Sequence, residues 1–315
     1  MEKDLDVIVV GELNVDLILN SIQGFPVVGK EIIAKNMDLT LGSSSAIFAS
    51  NISKLGAKTA IIGKVGKDLF GKLIISSLQE SGVDVSLIIE DAFLTTGATV
   101  VLNVDEDRAN LTHPGAMDHL VFEDIGIEQL QRARHLHLSS VFLQNGLQKD
   151  VGRLFKLAKQ LGLTTSFDMQ WDPNEKWELD LPGILPHVDI FLPNQTELLL
   201  ATKSTLLEEA IEKVKKWCKV LVIKRGRKGS LVFYNGKSRD MPPFLNEKVV
   251  DSIGAGDSFN AGFVWKYINQ SPVEECQRFG NLTGAVSTTY PGGTTAFKNM
   301  EVFKQIALEK FGESL

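Results

Sequence analysis

From residue 135 onward the chain alternates short apolar runs with stretches of helical period, and that order admits few folds. Strand-like runs stand at 135–138, 164–167, 190–192, 220–223, 230–234 and 247–250. Helix-like stretches stand between or after them at 150–161, 206–216, 258–268 and 273–289. Strands separated by helices pair in parallel, so the pattern predicts an α/β chain with a largely parallel sheet and helices on both faces. The first third follows this rule only in part. Residues 7–10 and 59–62 read as strands, and 44–55 and 69–81 as helices that stop at Gly56 and Gly82. Segments 16–20 and 31–39 have no helix after them. Nor does the pair 98–103 and 108–112, which flanks the acidic turn Asp105-Glu-Asp as a hairpin would. These four segments predict a small separate sheet that acts as a flap.

With 43% hydrophobic and 23% charged residues in 315, the chain can bury a sizeable core. Its net charge of −6 is spread over interspersed acidic and basic residues, which argues against nucleic acid as a partner. No apolar run approaches the ~20 residues of a membrane span. The acidic start, Met1-Glu-Lys-Asp, is unlike a signal peptide. Cys218 and Cys276 offer neither a disulfide framework nor zinc spacing, which fits a cytoplasmic protein.

The chemistry concentrates in Asp251-Ser-Ile-Gly254-Ala255-Gly256-Asp257-Ser-Phe-Asn-Ala-Gly262. Gly254 and Gly256 permit a tight turn, and the amides of Gly254, Ala255 and Gly256 then face outward at a helix start, where an anion binds. A carboxylate at the same mouth repels phosphate. It makes sense if Asp257 takes the proton of a hydroxyl that attacks a phosphoryl group. An Asp capping a helix after a glycine turn fits the local pattern equally.

Other motifs are weaker. Asn14 and Asp16 alternate after the first strand, so both side chains point one way, toward sugar hydroxyls or into a solvated turn. Gly66-Lys-Asp-Leu-Phe-Gly71-Lys72 is nearly a P-loop, but Leu73 stands where Mg²⁺ needs a hydroxyl; it reads as a loop and helix start. Asn194-Gln-Thr-Glu197 reads as a capping box, or as a pair that orients Mg²⁺-bound waters. Lys224-Arg-Gly226-Arg-Lys-Gly229 is a basic turn that suits either nucleotide phosphates or solvent. His135 and His137 alternate on one strand without metal spacing and predict a half-buried strand.

In this order the motifs resemble the ribokinase-like (PfkB-type) carbohydrate kinase family, from Val7 to about Thr295. The run ending at Gly262 looks like the family's C-terminal signature. Gly11-x-x-Asn14-x-Asp16, Gly63-Lys-Val-Gly66, Pro114-Gly-Ala, Asn194-x-x-Glu197 and Lys224-x-Gly226 support it. The resemblance implies one three-layer α/β/α kinase domain over 1–315 with a β lid at about 13–40 and 96–114. It implies Asp257 as base and Gly254, Ala255 and Gly256 as anion hole. Asn14, Asp16, Gly42 and Ser43 would bind sugar. Asn194 and Glu197 would serve Mg²⁺, and Lys224, Gly226 and Asn281 would line the ATP site. Asp251, the Ile253 carbonyl and carbonyls near Pro291 would hold a monovalent cation such as K⁺.

Three departures bear on the substrate. Ile47 replaces the Asn that commonly touches sugar, and Ile253 replaces a usual Thr. A segment that reads Phe-Asp-Pro-Asn-x-Arg in fructokinase-like members is here Phe167-Asp168-Met-Gln170-Trp171-Asp172. The expected reaction is phosphorylation by ATP of a primary hydroxyl on a small ketose, pentose or polyol. A nucleoside kinase of the same fold is the rival, since Ile47 and Phe48 could favour a base. A regulator that binds without catalysis is the other, and the intact Asp257 and glycine turn argue against it. Exposed edges of the lid predict a homodimer.

Overall fold

The structure, a computed structural model, describes residues 3–104 and 107–315. The turn residues Asp105 and Glu106, and Met1 and Glu2 of the acidic start, lie outside the described residues. Nine strands form the central sheet: β1 (Leu5–Val10), β4 (Thr59–Gly66), β5 (Ile88–Asp91), β8 (Ala133–Ser139), β9 (Thr164–Asp168), β10 (Ile190–Phe191), β11 (Val220–Lys224), β12 (Ser230–Tyr234) and β13 (Lys237–Met241). Their order is β13-β12-β11-β10-β9-β8-β1-β4-β5. Pairing is parallel except along β11-β12-β13. Four more strands, β2 (Asn14–Asn20), β3 (Asn36–Leu41), β6 (Gly97–Val104) and β7 (Asp107–His113), form the predicted second sheet in the order β3-β2-β6-β7. The helices are α1 (Ser44–Lys54), α2 (Leu69–Glu80), α3 (Ile127–Gln131), α4 (Asn145–Gln148), α5 (Val151–Gln160) and α6 (Leu181–Ile184). They continue with α7 (Gln195–Ala201), α8 (Leu207–Val214), α9 (Ala255–Ile268), α10 (Val273–Ser287) and α11 (Met300–Phe311).

The apolar runs are strands because both their faces are buried. In β1, Ile8 and Val10 enter one core with Leu154 and Phe155 of α5 and Leu198 of α7. Val7 and Val9 enter the other with Phe48 and Ile52 of α1 and Phe263 of α9. A strand packed on both sides reads as an unbroken hydrophobic run, not an alternating one. His135 and His137 are likewise fully buried rather than half-buried. His137 stacks on Phe48 with ring centroids 3.7 Å apart, and burial pushes both imidazoles well down, so they are neutral.

Elsewhere too the structure departs from the sequence reading, and β5 and β13 are strands that reading did not anticipate. Residues 247–250 form no strand; Val249 and Val250 are exposed, and Val250 N bonds Thr288 O. The free edge of β12 is taken by β13 through a two-residue Asn235-Gly236 turn, both residues at positive φ, the geometry that such hairpins need. The strand expected over 31–39 lies at Asn36–Leu41, and the helix expected from residue 258 begins at Ala255.

Candidate active site

Polar residues collect at the C-terminal ends of the parallel strands, where open α/β sheets bind ligands. Glu12 follows β1, Ser139 ends β8, Asp168 ends β9, Asn194 follows β10 and Lys224 ends β11. The N-termini of α1 and α9 join them.

The start of α9 is built around Gly254, whose φ of 72° is left-handed. A Cβ there would fall 2.6 Å from Gly293 Cα and 3.2 Å from Ile47. Only glycine meets both demands. Ile47 therefore packs beneath the turn and against Gly293. The first amides of a helix have no intrahelical acceptor. Of the three assigned to an anion hole, Ala255 N makes a long bond of 3.3 Å to Ser252 O. Asp251 ties the turn to the following loop: its carboxylate accepts from Ile253 N and Gly292 N, each at 2.9 Å. Asn51, one helical turn past Ile47, donates to Gly293 O and Ser258 Oγ, each at 2.9 Å.

Asp257 is buried in the first turn of α9. Its Oδ1 accepts from Gln170 Nε2 at 2.9 Å, and the Ser44 side chain donates to it as well. Burial, then repulsion from Asp168, pushes its carboxyl up to about 6; Lys224, Ser44 and Gln170 pull the other way. Asp168, fully buried, gathers three donors on Oδ2: Lys224 Nζ at 2.5 Å, Asn260 Nδ2 at 2.5 Å and Gln170 Nε2 at 3.0 Å. Burial opposes the charge of Lys224, but Asp168 and Glu197 hold its pKa above the ordinary lysine value. A Cβ on Gly256 would lie 3.6 Å from Lys224 Nζ, so the ammonium stands beside the first turn of α9. The basic turn thus sends Lys224 inward. The rest of it closes the β11–β12 hairpin, with Arg225 N bonded to Gly229 O.

Asn194 and Glu197 form the capping box that the sequence predicts. Asn194 Oδ1 accepts from Glu197 N, and Glu197 takes Asn194 N and Nδ2 at 2.8 and 2.6 Å. Burial first, then Asp168, raises the Glu197 carboxyl to about 7. On the second sheet, Asn14 donates to Asp16 Oδ1 at 3.1 Å and Thr99 Oγ1 at 3.0 Å, and Thr99 bonds Thr112. A Cβ on Gly42 would sit 2.3 Å from Asp16 Oδ1, so Asn14, Asp16 and Gly42 form one patch. Ser43, at a φ of 68°, caps α1 through Ala46 N and donates to Glu12 O at 2.6 Å.

Two expected residues stand apart from this cluster. Asn281 donates to Pro242 O, one turn before Gly284, where α10 packs on Ala255. Gly226 faces open space. Sequence reasoning did not single out Glu12, which is buried and raised to about 7 by burial while accepting from Ser45 N and Oγ. An acidic residue one glycine past a buried apolar strand was its signal. It treated Asp168 and Gln170 as departures rather than parts.

Residues 4–300 match the profile of the pfkB family carbohydrate kinases. An uncharacterized sugar kinase of Archaeoglobus fulgidus is 30% identical over 239 residues, 74% of this chain and 92% of the relative. A ribokinase of Haemophilus influenzae is 27% identical over 303 residues, 94% of this chain and 95% of the relative. Among solved structures, Arabidopsis thaliana ribokinase complexed with ribose and ATP is similar at a TM-score of 0.80 and 25% identity, covering 97% of this chain and 99% of that one. A profile that spans nearly the whole sequence, with relatives of matching length, means that this chain belongs to the pfkB family of carbohydrate kinases, enzymes that transfer phosphate to a sugar hydroxyl.

Proposed function

We propose that this kinase transfers the γ-phosphoryl of ATP to a primary hydroxyl of a small ketose, pentose or polyol, with Asp257 as general base. The observation that carries the reading is the buried Asp257 carboxyl held in the first turn of α9, beside amides that can receive negative charge. Asp257 takes the proton of the attacking hydroxyl as its oxygen bonds to phosphorus and the bond to ADP breaks. The amides at Gly254, Ala255 and Gly256 and the Lys224 ammonium meet the charge on the transferring oxygens. A carboxyl with a pKa near 6 suits a base that must work near neutrality.

Asn14, Asp16, Gly42 and Ser43 supply the sugar side, and Thr99 and Thr112 extend that polar patch. Lys224, Gly226 and Asn281 supply the nucleotide side. Among the described residues no group of three or more His, Cys, Asp or Glu is placed to hold a metal ion. Asn194 and the buried Glu197 would orient the waters of an Mg²⁺ held mainly by phosphates, and bound Mg²⁺ would neutralise phosphate charge. K⁺ behind the anion hole is the looser part of the reading. The Ile253 carbonyl would meet it, whereas Asp251 already serves two amides and Gly293 O an Asn51 amide.

The four-stranded sheet is the lid of a single kinase domain, closing the polar patch over sugar so that the poised base does not direct water at the γ-phosphate. Its other face is apolar and exposed, and a second copy of the chain covers it in a homodimer. A base-binding clamp has less support, because Phe48 is committed to His137 in the core and Ile47 to Gly254 and Gly293. The test is a panel of sugars, sugar acids, polyols and nucleosides assayed for ADP release, with a control lacking acceptor. Asp257→Asn should lower turnover on the best acceptor by roughly 10²- to 10⁴-fold. Turnover within about twofold of wild type would remove the base assignment.

A further inference from the structure

One side chain joins the proposed base to the buried ion pair. Gln170 Nε2 lies 2.9 Å from Asp257 Oδ1 and 3.0 Å from Asp168 Oδ2. An ionised carboxylate only accepts, so the amide presents its NH₂ to both, one hydrogen to each. The reverse orientation would set its carbonyl oxygen against two carboxylates. Asp168 cannot shift to accommodate Gln170, because Lys224 and Asn260 grip the same oxygen from β11 and α9.

The loop that carries Gln170 is fixed as firmly. Gln170, Glu175 and Trp177 have φ of 60°, 54° and 54°, left-handed values that a bulky side chain adopts only when its surroundings impose them. The buried Asp172 carboxylate holds the 174–177 turn by accepting from Asn174 N at 2.9 Å and Trp177 N at 2.7 Å. Trp177 packs edge-on against Phe142 and Trp171, with ring centroids 5.5 and 5.2 Å away. Asp172 stands where fructokinase-like relatives carry an Arg; here its carboxylate organises the loop.

We propose that Gln170 is the positioning residue of the transfer site: its amide locks Asp257 Oδ1 so that Oδ2 faces the attacking hydroxyl, and it keeps the base ionised. This rests on the reading of Asp257 as base. The charges around Asp257 come from every side: Asp168 at the end of β9, Lys224 on β11, Glu197 on α7 and Glu12 after β1. Three of the four disfavour a second carboxylate. With Lys224 engaged by Asp168, Gln170 and Ser44 are the neutral donors that favour it.

Gln170→Met keeps the length and removes both hydrogens. It should lower kcat by about tenfold or more, the cost of one hydrogen bond to a charged group. The sugar KM should stay within about threefold, a loss confined to the transition state. The acid limb of the kcat profile should move to higher pH, because a base without its donor holds its proton more tightly. Gln170→Glu sharpens the test. The introduced carboxyl donates only while protonated, so activity should survive on the acid side and collapse as that carboxyl ionises, a profile that loosened packing alone would not produce. It also keeps the test open if the Met variant fails to fold. Should Gln170→Met retain wild-type kcat and acid limb while Asp257→Asn is inactive, the positioning role is wrong and the base stands. If Asp257→Asn itself stays active, the base reading falls and this proposal with it.

Discussion

Both faces of the nine-stranded sheet are covered by helices, whereas the four-stranded sheet turns one face to the candidate site and buries the other only at the Val15–Leu41 end. Register makes the contrast concrete. Asp16 pairs with Thr40 and Thr99, and Thr99 with Thr112, so one face of the small sheet carries a polar row, with Ile18 and Val101 buried beside it. Leu17 pairs with Leu39 and Val100, Leu19 with Met37 and Leu102, and Val100 with Leu111, so the opposite face is apolar. Met37 is 67% exposed and Leu111 73%, values that a finished core does not show. The large sheet holds charge by burying it in pairs. The small one links neutral hydroxyls and an amide to one carboxylate, Asp16, at the mouth of the candidate site.

If that division is right, substitutions in the two sheets fail differently. Lys224→Met leaves Asp168 as a buried charge without its cation. We expect a loss of about 3–5 kcal/mol in urea unfolding, the usual cost of breaking a buried pair from one side. A loss below about 1 kcal/mol would mean that water reaches Asp168. Asp16→Ala on the lid should cost less in unfolding than Lys224→Met, because Asn14 keeps Thr99 Oγ1 as an acceptor. It should raise the sugar KM about 10- to 100-fold, about 1.5–3 kcal/mol of charged hydrogen bonding, with the ATP KM unchanged. An equal rise in both KM values would move Asp16 out of the sugar site.

The pH response belongs to the large sheet. The folded carboxyls of Asp257, at about 6, and of Glu12 and Glu197, at about 7, all lie above their ordinary values of 3.8 and 4.5. The fold then binds protons more tightly than the unfolded chain. The stability these groups add is whole below about pH 4 and is lost as pH rises through 6 to 7. The urea midpoint of the ligand-free protein should therefore fall between pH 5 and 8, and Asp257→Asn should flatten part of that fall. On the lid, Met37→Lys with Leu39→Lys should convert a dimer to monomer in sedimentation while kcat holds. Each lost burial weakens association by about 1.5–3 kcal/mol. A chain already monomeric at micromolar concentration would break the dimer proposal.

Most of this division was legible in sequence, for physical reasons. Runs such as Val7 to Val10 announce strands buried on two faces, and the segments that lack helices announce the second sheet. The dimer expectation came from strand edges, and the structure supplies a stronger reason in the apolar face. The β-branched pair Val249 and Val250 reads as a strand, yet the structure leaves it exposed, and the strand that forms is reached through the Asn235-Gly236 turn. Asp257 and the glycine turn stood out because glycines that expose amides at a helix start suit an anion, and a carboxylate at the same mouth then needs a reason. Glu12, Asp168 and Gln170 did not, because their roles arise from neighbours 33 to 92 residues away in sequence.

The smallest expected effect tests the join between the two sheets. Gly66 to Lys72 has nearly the spacing of a phosphate loop, yet its interior is already filled. Asp68 caps α2 through Gly71 N at 2.8 Å and takes Thr96 N and Oγ1, each at 2.7 Å, from the residue before β6. A Cβ on Gly71 would fall 2.2 Å from Gly66 O. The glycines are spaced for that contact, and a carboxylate holds an amide that a phosphate would need. Lys72 points to solvent. Lys72→Ala should therefore leave turnover and nucleotide KM at wild type and shift stability by no more than about 0.5 kcal/mol. Asp68→Ala should cost about 1–2 kcal/mol as a lost cap and free the β6 end of the lid. It should raise the sugar KM more than the ATP KM, which hydrogen exchange on β6 can check independently. If Lys72→Ala abolished turnover as Asp257→Asn does, the phosphate site would lie at this junction and not at the start of α9.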